Sequence, residues 1–157
     1  MWEDDEDDFE GMSDEEFKKQ REEQHKRLYE MPIMKKAIEI RELTKTITEL
    51  MNEELDQFEL RSQMRENAYI IGPKIAGAQG SDSYLLSMEN AVIIKRAARE
   101  LQAETSLAKE MKLIEAHYLQ LLRNDIEEFR LLFLEWIKTF DTYDRYDDGW
   151  GIFVEGA

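Results

Sequence analysis

The chain has 157 residues, of which 42% are hydrophobic and 36% are charged, and its formal net charge is −15 at pH 7. Seven glycines and two prolines are too few for the many tight turns of an all-β protein, and the absence of cysteine excludes disulfides, thiolate metal sites and a cysteine nucleophile. An acidic N-terminus and the lack of an apolar run of membrane-spanning length predict a cytoplasmic protein without membrane partners.

The acidic residues are concentrated at the two ends of the chain. Residues 1–30 hold 13 acidic and 5 basic side chains, and residues 141–157 hold 5 and 1, so the stretch between them is nearly balanced. The overall charge opposes binding of a nucleic-acid backbone, although a local basic face on the middle stretch stays open. Residues 1–12, whose only aromatic residues are Trp2 and Phe9, are predicted to be a disordered acidic tail, and the alternative is a docking arm for a basic partner.

A capping box starts the first predicted helix. The Ser13 side chain accepts from the amide three residues on, and Glu16 reaches back to the Ser13 amide. The helix is predicted over residues 14–30, within an additional polar unit at 13–31. Because it is polar nearly all round, we expect it to pack loosely against the rest of the protein.

Two apolar stripes at helical spacing follow. Pro32 suits the first turn of a helix, whose stripe is Ile33, Ala37, Ile40, Ile47 and Leu50, with Thr44 filling the gap. Residues 52–57 contain no glycine or proline, so both a turn and a continuing helix stay open there. The next stripe is Leu60, Met64, Ala68, Ile71 and Ile75. Pro73 predicts a bend in this helix, which continues to about residue 78.

The last two helices are predicted over residues 83–107 and 113–140, after a loop at 79–83. The first has its stripe at Ala91, Ile94, Ala98, Leu101 and Thr105. The second has the strongest periodicity in the chain, at Tyr118, Leu122, Ile126, Phe129, Phe133, Trp136 and Phe140. Leu131, Leu134 and Ile137 lie partly off that stripe. A helix that is apolar on more than one face is buried on more than one side, so these three residues are the candidate oligomer interface.

These elements predict an all-α protein. Residues 32–140 are expected to form an antiparallel up-down four-helix bundle, preceded by the additional N-terminal helix and followed by an acidic, aromatic tail at 141–157. Small residues spaced four apart in the third helix would let another helix approach closely, namely Ala68, Gly72, Ala76 and Gly80.

No catalytic, metal or cofactor site is predicted. The tail places Asp144, Asp148, Gly149 and Glu155 at calcium-loop positions 1, 5, 6 and 12, but Tyr146 stands at position 3, where a ligand belongs. The two histidines, His25 and His117, lack the paired Glu-x-x-His spacing of a di-iron bundle. The glycine-rich stretch 72–80 lacks the Gly-Lys-Ser/Thr order of a phosphate loop, so helix packing explains it better. We therefore predict that the protein is not an enzyme.

A candidate basic patch lies within the predicted bundle. Its members are Arg61, Arg65, Lys95, Arg96 and Arg99. The alternative is that these side chains form ion pairs with nearby acids such as Glu66, Glu89 and Glu100.

Three motifs in the middle of the chain resemble a known family. Residues 60–65 (LRSQMR), 70–79 (IIGPKIAGAQ) and 98–100 (ARE) are similar to the L-x-x-Q, S-I-G-x-N-I-A-E-A and K-E-A-R-E-T motifs of four-helix-bundle proteins encoded in 23S rRNA intervening sequences. The resemblance covers about residues 33–140, and it departs from the family at Lys74, Gly77 and Leu101. It implies an antiparallel bundle that assembles into rings, often pentamers, without established enzymatic activity.

Two functions are compatible with these features. The first is a non-enzymatic interaction or scaffold protein that binds copies of itself through its last helix, together with an unidentified protein partner. The second is a nucleic-acid or ribonucleoprotein accessory factor, which the resemblance implies because related retroelement accessory proteins bind reverse transcriptase and nucleic acid. Those relatives are basic, whereas this chain is acidic.

Overall fold

The computed structural model describes residues 11–142 and 145–154. This part of the chain is all-helical, as predicted, with five α-helices and no β-strand. The helices are α1 (Asp14–Glu30), α2 (Pro32–Leu50), α3 (Leu60–Gln79), α4 (Tyr84–Glu110) and α5 (Ala116–Ile137). Residues 1–10 of the predicted acidic tail, including Trp2 and Phe9, lie outside the described residues.

Side-chain acceptors cap the starts of α1 and α3. The predicted capping box of α1 is confirmed, because Ser13 Oγ accepts from the Glu16 amide at 3.2 Å and the Ser13 amide donates to Glu16 Oε2 at 3.0 Å. Residues 51–59 are not helical, so the open choice over 52–57 is resolved as a break. The Asp56 carboxylate then caps α3 by accepting from the amides of Leu60 and Arg61 at 2.7 and 3.1 Å.

One apolar core is shared by α2, α3, α4 and α5. Helix α2 packs against α3 and α5, and α4 packs against the same two helices. Helix α1 packs mainly against α2 and has no buried residue, as its polar sequence predicted. The largest fully buried side chains are Phe129, Ile40, Ile47, Leu60, Met64, Ile71, Ile75, Leu85, Ile94, Leu101, Leu119 and Leu122.

The predicted stripes of α3, α4 and α5 face this core. One member of the α2 stripe was predicted wrongly: Leu50 is exposed, and the next residue, Met51, is buried instead. Helix α2 ends at Leu50, and Met51 adopts an extended conformation with φ −65° and ψ 146°. The change of backbone direction turns Met51 towards the core and Leu50 towards solvent, which a helical pattern continued through residue 50 cannot foresee.

The joint between α4 and α5 lies slightly later than predicted. Helix α4 extends to Glu110, and α5 begins at Ala116 and ends at Ile137 instead of spanning 113–140. Lys112 adopts the left-handed region with φ 56°, and the Leu113 amide donates to the Ala108 carbonyl at 3.1 Å. Leu113 is buried. The joint is therefore an ordered helix end closed by an apolar contact.

Helix α3 continues through Pro73 to Gln79, so the glycine-rich stretch is helical up to that residue. The small residues that precede and follow Pro73 line a cleft shared with α2, together with Met34 and Ala37. A Cβ placed on Gly72 would lie 3.8 Å from Met34 Sδ, an ordinary van der Waals distance. Ala68, Gly72 and Ala76 of the small-residue stripe thus face α2, whereas Gly80 lies past the end of α3 and does not line this cleft. Alanine would fit at Gly72.

Neighbouring leucines on α5 provide a test of the core. Leu122 is fully buried, whereas Leu121 is 51% exposed. We expect Leu122→Ala to lower the free energy of unfolding by about 2–5 kcal/mol, because it leaves a cavity among packed side chains, and Leu121→Ala to change it by less than about 0.5 kcal/mol. Urea denaturation followed by circular dichroism measures both values. Equal losses for the two variants would contradict this placement of α5.

Candidate interaction surface

An apolar groove of about 520 Å³ runs between α4 and α5. Two of the three candidate interface residues, Leu134 and Ile137, line it, and Leu134 is 41% exposed. The third, Leu131, is 53% exposed and lies outside the lining. Helix α4 contributes the opposite wall through Met88, Ala91, Val92, Lys95, Ala98, Arg99 and Gln102. The outer face of α5, which its apolar pattern predicted to be buried in an oligomer, is therefore open to solvent in the single chain.

The C-terminal segment, residues 145–154, returns to this groove. Phe153 is half-buried and lines the groove beside the α4 and α5 side chains. Gly149 and Gly151 have φ values of 89° and 73°, which residues other than glycine rarely adopt, and they turn the segment back. Arg145 lies over the Tyr84 ring, with Cζ 4.4 Å from the ring centroid. The sequence signalled only that this tail is aromatic, and not which surface it contacts.

Basic side chains border the groove. Lys95 and Arg99 are exposed along α4, and neither forms an ion pair within residues 11–142 and 145–154. Arg130 of α5 is neutralised, because its guanidinium donates to both oxygens of Glu127 at 2.9 and 2.6 Å and thereby lowers the pKa of Glu127. The groove thus combines an apolar floor with two uncompensated cations at one wall.

The five residues of the candidate basic patch fall into two groups. Lys95, Arg96 and Arg99 line one shallow cleft on α4, where Arg96 pairs with Glu100 at 2.9 Å. The other two lie at the start of α3. Arg61 is held by Glu53 at 3.1 Å and Asp56 at 3.3 Å.

Arg65 lines a different cleft, with Arg41 and Lys45 of α2, and its Nε donates to Thr48 Oγ1 at 2.7 Å. Ion pairing, the alternative interpretation, applies to Arg61 and Arg96. The two groups therefore face separate clefts, and only the α4 group adjoins the apolar groove.

A cluster centred on Lys36 joins α2 to α5. Its Nζ lies 2.6 Å from Glu128 Oε2 and 3.7 Å from Asp125 Oδ1 on α5, and 2.6 Å from Glu39 Oε2 on its own helix. The hydrogen bonds to Glu128 and Glu39 raise the pKa of Lys36. Burial raises the pKa of Asp125, and the attraction of Lys36 offsets only part of that effect. One lysine thus bridges carboxylates of both helices, which fits a structural tie between α2 and α5, although three acids face a single cation.

Glu104 is a buried carboxylate between α3 and α4. The sequence patterns did not point to this residue. Its Oε1 accepts from Asn67 Nδ2 at 2.6 Å. Burial raises the pKa of Glu104, and repulsion from Glu100 and Glu66 adds to the rise, whereas the hydrogen bond from Asn67 opposes it. A raised carboxyl pKa is a common feature of catalytic acids. The hydrogen-bond partner of Glu104 in the described part of the chain is the Asn67 amide, so here the raised pKa follows from burial between two packed helices.

The remaining candidate sites are placed as follows. Asp144 and Glu155 of the calcium-loop register lie outside the described residues, and Asp148 Oδ1 accepts from the Trp150 amide at 3.0 Å. His25 stacks on Tyr29, and His117 lies 3.3 Å from Glu115. Across 11–142 and 145–154, no group of three histidine, cysteine, aspartate or glutamate side chains is placed to hold a metal ion.

Comparison with known proteins does not assign a family. A scan against models of protein families finds no match, and a search of curated proteins finds no significant match. In the described part of the chain, no helix combines the length and apolarity that crossing a membrane requires.

The raised pKa of Glu104 predicts a measurable pH dependence of stability. An acid whose pKa is higher in the folded state favours folding when neutral, so its contribution is complete below the ordinary glutamate pKa and is lost as pH rises through the folded value. We expect Glu104→Gln, which keeps an acceptor for Asn67, to raise the melting temperature by a few degrees at pH 7. The gain should disappear near pH 4.

The exposed Glu110 on the same helix provides the matched control. Glu110→Gln should leave the melting temperature nearly unchanged at both pH values. A loss of stability in Glu104→Gln at pH 7 would mean that the ionised carboxylate is favoured in the folded protein, contrary to the assigned direction.

Proposed function

We propose that this protein is a non-enzymatic, self-associating interaction or scaffold protein whose helices α2–α5 form an antiparallel up-down bundle. The arrangement is supported by contacts in which the first half of one helix meets the end of its neighbour. Thr48 near the end of α2 meets Arg65 near the start of α3, and Asn67 meets Glu104 near the end of α4. Arg123 near the start of α5 donates to Thr105 Oγ1 at 2.9 Å. These pairings favour antiparallel neighbours throughout.

The observation that carries the self-association proposal is the exposed apolar surface of α5. Leu131 and Leu134 lie one turn apart on the outside of this helix, and Val92 of α4 is exposed across the groove from Leu134. Single exposed apolar residues are ordinary, whereas a contiguous apolar surface bordered by polar side chains is typical of protein interaction sites. A second copy of the chain would remove these side chains from water.

The resemblance to the intervening-sequence proteins belongs to the same proposal. It adds the expectation of a closed ring, with five subunits as the favoured number. The chain would then belong to a family of helical interaction proteins. A ring requires a head-to-tail contact between two different surfaces of the subunit, since each copy must bind one neighbour on each side. The outer face of α5 would supply one of those surfaces.

Self-association is tested by the mass of the full chain in solution. We expect light scattering and native mass spectrometry at micromolar concentration to give a defined oligomer. Replacing both Leu131 and Leu134 with aspartate should reduce the mass to that of the monomer, because charge would be buried in the contact. Tyr69→Asp on α3 is the control, because Tyr69 is similarly exposed on another face. A native chain that stays monomeric would contradict the proposal.

Lys95 and Arg99, which are exposed and form no ion pair with any described residue, favour nucleic-acid binding as the second candidate function. Phosphate contacts made by lysine and arginine release counterions, so binding through this wall of α4 must weaken steeply with salt. If the function is correct, the full chain retains RNA at low salt, and the Lys95→Ala, Arg96→Ala, Arg99→Ala triple variant loses retention. An Arg41→Ala, Lys45→Ala variant, altered on the α2–α3 cleft, should retain it. Absence of binding at low salt would eliminate this candidate.

A further inference from the structure

We propose that the groove between α4 and α5 is a docking site for an acidic peptide with an aromatic anchor, and that the chain's own C-terminal segment occupies this site as a tethered substitute. The partner would be an extended segment of another protein that carries a phenylalanine or tryptophan next to aspartate or glutamate residues. This proposal concerns a peptide partner and goes beyond self-association, which does not require it.

The first support is the position of Phe153. Its side chain is the only part of the segment 145–154 that lines the groove, which Val92 and Ala98 of α4 and Leu134 and Ile137 of α5 also line. Phe153 is half-buried, and a single aromatic side chain at a groove between two helices is the usual form of an anchor in peptide recognition. The groove keeps a volume of about 520 Å³ with Phe153 in place, so it has room for a further large side chain.

The second support is the backbone of the anchor. Phe153 adopts φ 58°, in the left-handed region that is unfavourable for a residue with a Cβ. Such a conformation persists where surrounding contacts outweigh its cost, and it is concentrated at ligand clamps and switches. The strained backbone of Phe153 makes the segment easier to displace than a relaxed segment would be.

The third support is charge. Asp147 and Asp148 precede the anchor, and the groove wall carries Lys95 and Arg99 without an ion-pair partner in the described part of the chain. An acidic segment is thus the one that this wall attracts, and a basic one would be repelled. Trp150 belongs to the same segment and is 82% exposed.

A tethered occupant competes strongly with a free peptide. A short flexible linker gives an effective concentration in the millimolar range. The apparent affinity of the groove for a partner peptide is therefore low until the tethered segment leaves. The affinity of the groove should therefore rise when Phe153 is removed from the full chain. Nothing else in the bundle has to change for this to happen.

Fluorescence anisotropy with a labelled peptide of residues 147–154 (DDGWGIFV) tests the proposal on the full chain. We expect the Phe153→Ala chain to bind this peptide at least about tenfold more tightly than the native chain, because the internal competitor is gone. Trp150→Ala is the matched control, since Trp150 is exposed, and it should bind like the native chain. A peptide in which alanine replaces the phenylalanine should not bind any of the three.

Two further variants locate the site. In the Phe153→Ala chain, Leu134→Asp should abolish peptide binding, and Lys95→Glu should weaken it and reduce its dependence on salt. Circular dichroism of each variant verifies that the helices are intact. Equal binding by the native and Phe153→Ala chains, or binding by neither, would overturn the proposal, as would new dimerisation of Phe153→Ala without peptide binding, which would assign the groove to a second copy.

The outcomes separate this proposal from self-association. Peptide binding by a chain that is monomeric in light scattering would support the docking site and contradict self-association. An oligomeric native chain whose Phe153→Ala variant ignores the peptide would do the reverse.

Discussion

Burial of four apolar stripes in one shared core is the constraint on which the rest of this structure depends. Helices α2–α5 each have an apolar stripe that the helix cannot bury by itself. Each stripe is buried because two neighbouring helices pack against it. Helix α1 has no such stripe and accordingly packs only loosely, mainly against α2. The division between a packed bundle and its polar appendage follows directly from how apolar surface is distributed along the chain.

Polar contacts at the helix seams determine how the helices line up. Trp136 Nε1 donates to Gln79 Oε1 at 3.1 Å, and Arg123 reaches the Gln102 carbonyl and the Thr105 hydroxyl across the α4–α5 seam. Apolar stripes alone tolerate sliding by a turn, whereas a half-buried donor must find its acceptor. Glu104 illustrates the cost of this arrangement, since its burial is only partly offset by Asn67.

The functional proposals rest on the surface that the core leaves uncovered. Packing against α2 and α4 buries one face of α5. Leu131 and Leu134 lie at the outer edge of that face and stay exposed, because none of the described helices covers them. Phe153 covers part of the adjoining groove from within the same chain. Self-association and peptide docking are two ways of completing that coverage, and both would use the strongly apolar α5.

The helices and their inward stripes were determined by the sequence itself, because a period near 3.6 and local caps such as Ser13 act over a few residues. The sequence did not decide between a turn and a continuing helix after α2, and it placed Leu50 in the core where Met51 is found. The end of a helix depends on contacts such as that of the Asn52 amide with the Leu113 carbonyl at 2.8 Å. The division of the candidate basic patch into two groups likewise depends on tertiary structure. Which cleft a side chain faces, where Phe153 lies and why Glu104 is buried depend on residues distant in the chain, which only the packing of the helices brings together.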